Sequence, residues 1–553
     1  MIVISRTPDG TEIRAPAGVF PPRGATTASF VLLGALGALL AMIYAAGEWW
    51  HLSGGFGFPT DAAWTRAVFA RNLAEGRGLC FNPGVAVAGA PGPAWLAMLA
   101  AGGYLLGDFV GGAKLLGVWA VVLTAYLVWM ITLDLLSDWR FAFLAALTTV
   151  AAPHFLAAGL GGTESALGAL LLAATIRWQA RSWDGARGQR LGLALACGLG
   201  ALCRPELALL VPAVLLDRVL VTAVRGKAGG RMRAILAGGL PEALGAAALA
   251  IPYLIYNWNV GGALWQQPGL ALRGQSVFAW SVTALKLLWT SSPLVLAASV
   301  LGLPVAVLSA ARPRSDHSSF LLVLLPIALL SAPGLIWRDA SAANGAYTAA
   351  CLTPAICVLG SAGLFALYRT ANSLRLRNRP SLGKNLSFAL GITAVVCALG
   401  VLGWFSHRAA WLQYGVAVKK VSDLQGAVGR WAAQHLAPDA SIASREVGAI
   451  GFYSRRRVLD LGGTIDQVGY LALSRPGPPD DNLLAFLQKT KPSHVAMRPA
   501  DFPYLAQRTD ILAPVVTCVV RDEIAGGAST MTLYETPWPP PSVRAVQINT
   551  RRR

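Results

Sequence analysis

Residues 112–133 read GAKLLGVWAVVLTAYLVWMITL, a run of 22 residues whose one charge is Lys114. Coiled into a helix, such a run is about 33 Å long, enough to cross a hydrocarbon core of roughly 30 Å. Similar runs recur at about 27–47, 140–158, 165–179, 190–203, 206–221, 235–256, 291–310, 319–336, 347–367 and 386–406, so that eleven spans are expected. The pair at 190–203 and 206–221 is short and reads as a helical hairpin broken at Arg204-Pro205, where proline removes a backbone donor. The stretch 94–107 is apolar too, but at about 14 residues it is too short to span and is placed as an interfacial or re-entrant segment.

The composition agrees. Of 553 residues, 55% are hydrophobic and only 13% are charged. A soluble globular chain carries about 25% charged residues, which excludes a soluble enzyme. The 59 glycines and 33 prolines show no period, which excludes a collagen-like chain. A net charge of +19 does not point to nucleic acid, because the basic residues gather between apolar blocks instead of interleaving with aromatics. With the N-terminus in the cytoplasm, the basic loops 180–190, 217–234, 311–318 and 368–385 all fall on the cytoplasmic side, as the positive-inside bias requires. The expected class is an all-α polytopic membrane domain followed by a C-terminal α/β extracytoplasmic domain.

The expected divisions are a cytoplasmic tail at 1–26, a transmembrane domain at 27–407 with a first outer loop at 48–111, an extracytoplasmic α/β domain at 408–545, and a disordered end at 546–553. In the outer domain, 440–444, 457–461, 494–498, 514–520 and 529–535 read as strands by alternation, and 415–436 and 483–490 as helices. The Gly448-Ala449-Ile450-Gly451 stretch reads as a glycine-rich turn, and Phe452 and Tyr453 after it pack either on the domain's own sheet or over the mouth of a cavity. Seven cysteines without paired spacing indicate neither a disulfide framework nor a zinc site.

This topology puts Asp61, Glu164, Arg204, Glu206, Arg338 and Asp339 on the outer side, where they interrupt or border apolar segments. Ionisable groups at such depth are costly and often mark function. Asp61 either caps the helix 62–75 or takes a catalytic role. Glu164 either favours a helix start through the dipole or lines the cavity. Arg204-Pro205-Glu206 is either a salt-bridged turn or part of the site. Arg66, Arg71 and Arg77 either bind lipid phosphates or are solvated, and Trp49, Trp50, Trp64 and Trp95 read as an interfacial belt.

The run Asp61-Ala62-Ala63-Trp64, with Arg71-Asn72-Leu73 and Gly78-Leu79-Cys80-Phe81-Asn82-Pro83-Gly84, resembles the first outer loop of C-superfamily (GT-C) membrane glycosyltransferases. The arabinofuranosyltransferase-like, polyprenyl-phosphate-sugar-dependent subgroup is the most similar. Gly89-Ala90-Pro91-Gly92-Pro93-Ala94-Trp95, Gly162-Thr163-Glu164-Ser165-Ala166-Leu167, Arg204-Pro205-Glu206, Val447–Ser454 and Val458–Gly463 resemble later patches in the family's order. The chain departs at Ala62, where the family has a second acid, at Val68, where it has arginine, and at Ala346, where it has arginine before the aromatic Tyr347.

The resemblance implies a glycosyltransferase of a bacterial inner membrane that uses a polyprenyl-phosphate-linked sugar and a glycan, lipid or protein acceptor on the outer face. It implies Asp61 as general base, Arg204, Arg71 and Arg338 at the donor phosphate, and Glu164, Glu206 and Asp339 as cavity acids. No cofactor is certain; a divalent metal is possible but not indicated, since the second loop acid is missing. The departures keep open a non-catalytic GT-C-like protein that binds a lipid carrier or glycan. Topology is tested by cysteine labelling in intact cells: sites introduced in 225–233 and 375–384 should react only after permeabilisation, and sites in 445–535 without it. Outside labelling at Lys227 would reverse the orientation.

Overall fold

A computed structural model of the protein describes residues 25–184, 187–224, 231–262, 264, 279–311, 319–331, 342–377, 382–521 and 528–538. The membrane part begins with α1 (Ala25–His51), α2 (Asp61–Ala74), α3 (Pro93–Leu106) and α4 (Phe109–Leu136). It continues through α5 (Trp139–Val150), α6 (Pro153–Leu160), α7 (Ser165–Arg181) and α8 (Arg187–Cys203). A 3-10 turn at Pro205–Leu209 opens α9 (Leu210–Val224), followed by α10 (Arg231–Gly261), α11 (Ala279–Ser291) and α12 (Pro293–Ala310). The last three are α13 (Leu321–Ser331), α14 (Ala342–Arg377) and α15 (Leu382–Val421).

Six described segments are long and apolar enough to cross a membrane: Thr26–His51, Phe109–Leu136, Pro205–Val224, Gly239–Gly261, Pro293–Ala310 and Ala346–Ser373. The expected span at 140–158 is a pair of helices, α5 and α6, bent by 52°, and counts as a seventh if taken as one span. The bend falls before Pro153, which has no N–H to continue the ladder of α5. Eleven is therefore not reached by length and apolarity among the described residues. The expected spans at 165–179, 190–203 and 319–336 do form helices, but α7 and α8 have 17 residues each and α13 has 11. The segment placed as interfacial is α3, a helix of 14 residues bounded by left-handed Gly92 and Gly107.

The sheet domain holds β1 (Ser441–Ser444), β2 (Arg457–Asp460), β3 (His494–Met497), β4 (Ala513–Arg521) and β5 (Ala528–Glu535). Their order is β2-β1-β3-β5-β4; β1 runs parallel to β2 and β3, and β5 antiparallel to β3 and β4. All five strands lie where alternation placed them. Helices α16 (Ala427–His435), α17 (Gly448–Ser454), α18 (Val468–Leu473) and α19 (Pro479–Thr490) cover the sheet. The expected turn at Gly448-Ala449-Ile450-Gly451 is instead the first turn of α17. Its glycines serve close approach: a Cβ on Gly448 would come within 2.1 Å of the Asp61 carbonyl oxygen, and one on Gly451 within 2.6 Å of the Phe81 ring.

The sheet domain shares a core with the first loop. Val68, Phe69 and Phe81 pack in one apolar cluster with Leu424, Val428, Ile442, Val447, Ile450 and Val458. Phe452 and Tyr453 lie against Trp64, with ring centroids 4.9 and 5.0 Å away. Trp64 and Trp95 are thus fully buried and do not belong to an interfacial belt, whereas Trp49 and Trp50 are exposed. Asn82 treats the sheet edge as another strand would: its Nδ2 donates to the Val458 carbonyl (2.8 Å) and its Oδ1 accepts from the Val458 amide (2.9 Å). Replacing Asn82 with Ala should leave two backbone groups of β2 without partners, at a cost of about 2–4 kcal/mol. Hydrogen exchange at 457–460 reads the effect; unchanged protection would show that the sheet docks without Asn82.

Candidate functional site beneath the first loop

Charged side chains meet where α2, α7 and the break between α8 and α9 converge. Glu164 sits at the cap position of α7, yet its carboxylate makes no bond to that helix. It turns to two arginines. Arg66 of α2 grips it with Nε and Nη2, the latter at 2.7 Å, and Arg204 donates from Nη1 at 3.3 Å. Arg204 also holds Glu206 through Nε (3.3 Å) and Nη2 (3.2 Å), so that Arg204-Pro205-Glu206 is the salt-bridged turn allowed by its sequence. The guanidinium of Arg204 lies 4.0 Å over the ring of Tyr347. Glu164 and Glu206 are buried, and pairing is what makes such burial tolerable.

This cluster walls a cavity of about 90 Å³, several times what one water needs. Its other walls are the 89–93 loop, the 201–205 segment, and Tyr253 and Asn257 of α10. Tyr253 donates to the Ala90 carbonyl (2.7 Å), and Asn257 accepts from the Gly89 amide (2.9 Å), so α10 fixes the loop. A second buried pair holds the chain just before α2. Lys114 Nζ contacts Glu48 Oε2 at 2.8 Å and the Tyr414 hydroxyl at 2.7 Å, while Glu48 Oε1 accepts from the Gly57 amide. Among the described residues no cluster of His, Cys, Asp or Glu is arranged to hold a metal ion.

Asp61 is not in the cavity wall. It does not cap α2, since the cap position is Thr60. Its carboxylate caps α17 of the sheet domain, Oδ2 accepting from the Gly448 amide (2.8 Å) and Oδ1 from the Ala449 amide (3.0 Å). Burial pushes the Asp61 carboxyl up to about 6, outweighing the two amide bonds that lower it; Glu446 and Asp460 nearby push the same way. The link to the cavity is short: the Arg66 that grips Glu164 also donates to the Ala62 carbonyl (2.9 Å).

The structure therefore brings Glu164, Arg204 and Glu206 together, while Asp61, Arg71 and Arg77 lie outside the cavity wall. Arg71 belongs to the domain interface, where it donates to the Phe452 carbonyl (2.7 Å) and lies 5.0 Å over the Phe452 ring. Arg77 pairs with Glu75 at 3.0 Å, away from the cavity. Arg338 and Asp339 lie outside the described residues. Sequence reasoning missed Arg66 as the principal partner of Glu164, singled out Tyr347 only as a motif position, and missed Tyr253 and Asn257 altogether. Spacing gave no signal, because Arg66, five residues or about 1.4 turns after Asp61, lies on another face of α2.

Residues 414–534 match the model of a domain of unknown function, DUF8728. No curated protein matches the chain by sequence. Among solved structures, the oligosaccharyltransferase of Archaeoglobus fulgidus in the apo form superposes with a TM-score of 0.62 at 13% identity, over 93% of this chain and 75% of that one. The same archaeal enzyme, AglB, with an inhibitory peptide and a dolichol-phosphate, gives 0.60 at 12% identity over 94% and 75%. ArnT from Cupriavidus metallidurans bound to undecaprenyl phosphate gives 0.58 at 14% identity over 92% and 99%. At these identities the likeness is one of fold, and it runs through the membrane helices and the sheet domain alike. This membrane protein has the GT-C fold.

Proposed function

We propose that the chain is a membrane glycosyltransferase that takes a sugar from a polyprenyl-phosphate donor. The acceptor is a glycan, lipid or protein on the outer face of a bacterial inner membrane, with the N-terminus cytoplasmic and the sheet domain outside. The observation that carries this reading is the cavity walled by Arg66, Glu164 and Arg204 at the junction of bundle and loop, in a fold whose solved examples bind lipid phosphates. The lipid tail remains in the bilayer while its phosphate and sugar enter beneath the loop, so that encounter is two-dimensional and the anomeric carbon arrives oriented.

Arg204, with Arg66, donates charge-assisted hydrogen bonds to the leaving phosphate. Tyr347 beneath the guanidinium holds its plane. Asp61 serves as general base: it takes the proton of the acceptor hydroxyl as that oxygen attacks the anomeric carbon and the bond to the phosphate oxygen breaks. A carboxyl near 6 suits that work better than an ordinary one. The Gly448 and Ala449 amides orient it and leave each oxygen a further lone pair. Glu164 and Glu206 hold the arginines in place. Arg71 keeps the sheet domain on the loop, so the acceptor side is built jointly by both.

A second reading, a non-catalytic protein that binds a lipid carrier or glycan, is favoured by one observation: both Asp61 oxygens already serve the sheet domain. Turnover separates the two. Purified protein in nanodiscs, given polyprenyl-phosphate sugars and envelope acceptors, should lose roughly a hundredfold or more in kcat on Asp61→Asn while donor-lipid binding persists. Arg204→Gln should weaken donor binding about tenfold or more. Donor binding without turnover across a broad donor set would establish the second reading.

The pH profile tests the base itself. Asp61 must be ionised to accept a proton, so kcat/KM should rise with pH through about 6 and level off above it. Stability runs the other way: a folded carboxyl raised above its unfolded value favours the protonated native state, so the Asp61 contribution falls as pH climbs toward 6. A rate that is flat between pH 5 and 8 would remove Asp61 from the chemistry.

A further inference from the structure

A second cavity, of about 790 Å³, opens between α1, the break of α5 and α6, the start of α12, and α15. It shares no wall with the Arg66–Glu164–Arg204 cavity. Ile43, Leu144, Leu147 and Leu294 make its interior apolar, and it has the volume of a site for a sizeable ligand. In a bilayer such a space takes hydrocarbon, because water finds no partners there. The rim is different. Trp404, Arg408 and Trp411 all line the cavity, and their spacing puts them on one face of α15. Arg408 is exposed, and among the described residues no acid pairs with it.

Depth and charge narrow the occupant. His407, beside Arg408, contacts the Tyr44 hydroxyl at 3.3 Å, and Tyr44 lies seven residues before the end of α1, about 10 Å along it. With the end of α1 at the membrane surface, that depth lies near the boundary between headgroups and acyl chains. Helix α11 ends at Ser291 and α12 begins at Pro293 on this same wall, so their opposed dipole ends offset each other and the charge there is that of Arg408. A guanidinium here is satisfied best by a phosphate, which it meets with two parallel bonds.

We propose that this cavity is a site for one anionic phospholipid of the bilayer, its phosphate on Arg408 and an acyl chain among Ile43, Leu144, Leu147 and Leu294. The site is independent of glycosyl transfer and of the lipid-phosphate donor.

Native mass spectrometry of the full chain, stripped of lipid in detergent, tests it with phosphatidylglycerol and phosphatidylcholine of the same acyl chains. One phosphatidylglycerol adduct should survive activation that removes phosphatidylcholine. Arg408→Gln, at an exposed position, should lower its retention about tenfold, and Arg408→Lys should retain part of it. Leu147→Trp, which takes up part of the apolar space, should lower the retention of the adduct with Arg408 intact, while Arg204→Gln should leave it unchanged. Equal retention of the two phospholipids, or no effect of Arg408→Gln, would overturn the proposal. So would displacement of phosphatidylglycerol by undecaprenyl phosphate at equal concentration, which would assign the cavity to the carrier lipid.

Discussion

Glu164 is a carboxylate buried from bulk solvent, and the arrangement around it follows from that. A buried ion costs several kcal/mol unless charge and hydrogen bonds compensate it. Compensation comes from Arg66, 98 positions earlier, and Arg204, 40 positions later. Three segments remote in the chain are thereby held at one point, and the 89–93 loop closes over them. Removing either arginine would leave part of the charge unpaired, which generally costs more than the intact pair contributes. The cavity is thus a by-product of electrostatic necessity.

The first-loop residues have a use that their resemblance to a glycosyltransferase loop did not suggest. Arg71 holds the Phe452 carbonyl, Asn72 pins the loop through the Cys80 and Phe81 carbonyls, and Asn82 completes the edge of β2. Much of that stretch is a docking surface for the sheet domain. The departure at Val68 fits this: its side chain is buried in the core shared with Ile450 and Val458, where a charge would have no partner. The GT-C fold can accordingly keep its loop architecture even where the family's charged positions are lost.

Legibility followed the range of the physics. Apolar runs and two-residue alternation are local; they placed the long apolar helices, though not the number of spans, and all five strands. Helix α17 was misread because a Gly-x-x-Gly sequence lowers helix propensity, and it is the remote Asp61 cap and packing on α2 that support the helix. Trp64 was misread because tryptophan near a membrane loop usually marks the interface, and nothing local announces a domain that covers it. The charges were legible as unusual, but their pairing was not. Arg66 and Arg71 look alike in sequence; one grips Glu164 and the other the sheet domain, and only the fold distinguishes them.

Helix α15 enters the sheet domain without a linker. It runs 40 residues, about 60 Å, and passes through a π turn at Ser422–Gly426 directly into α16. A continuous helix behaves as a shaft with fixed pitch: one inserted residue would turn everything beyond it by about 100° and lift it about 1.5 Å. Trp64, Asn82 and Asp61 would then face the wrong side of the domain they now hold. The length of the segment between His407 and Val421 therefore sets an angle as much as a distance, and the π turn, wider than an α turn, shifts that angle just before α16.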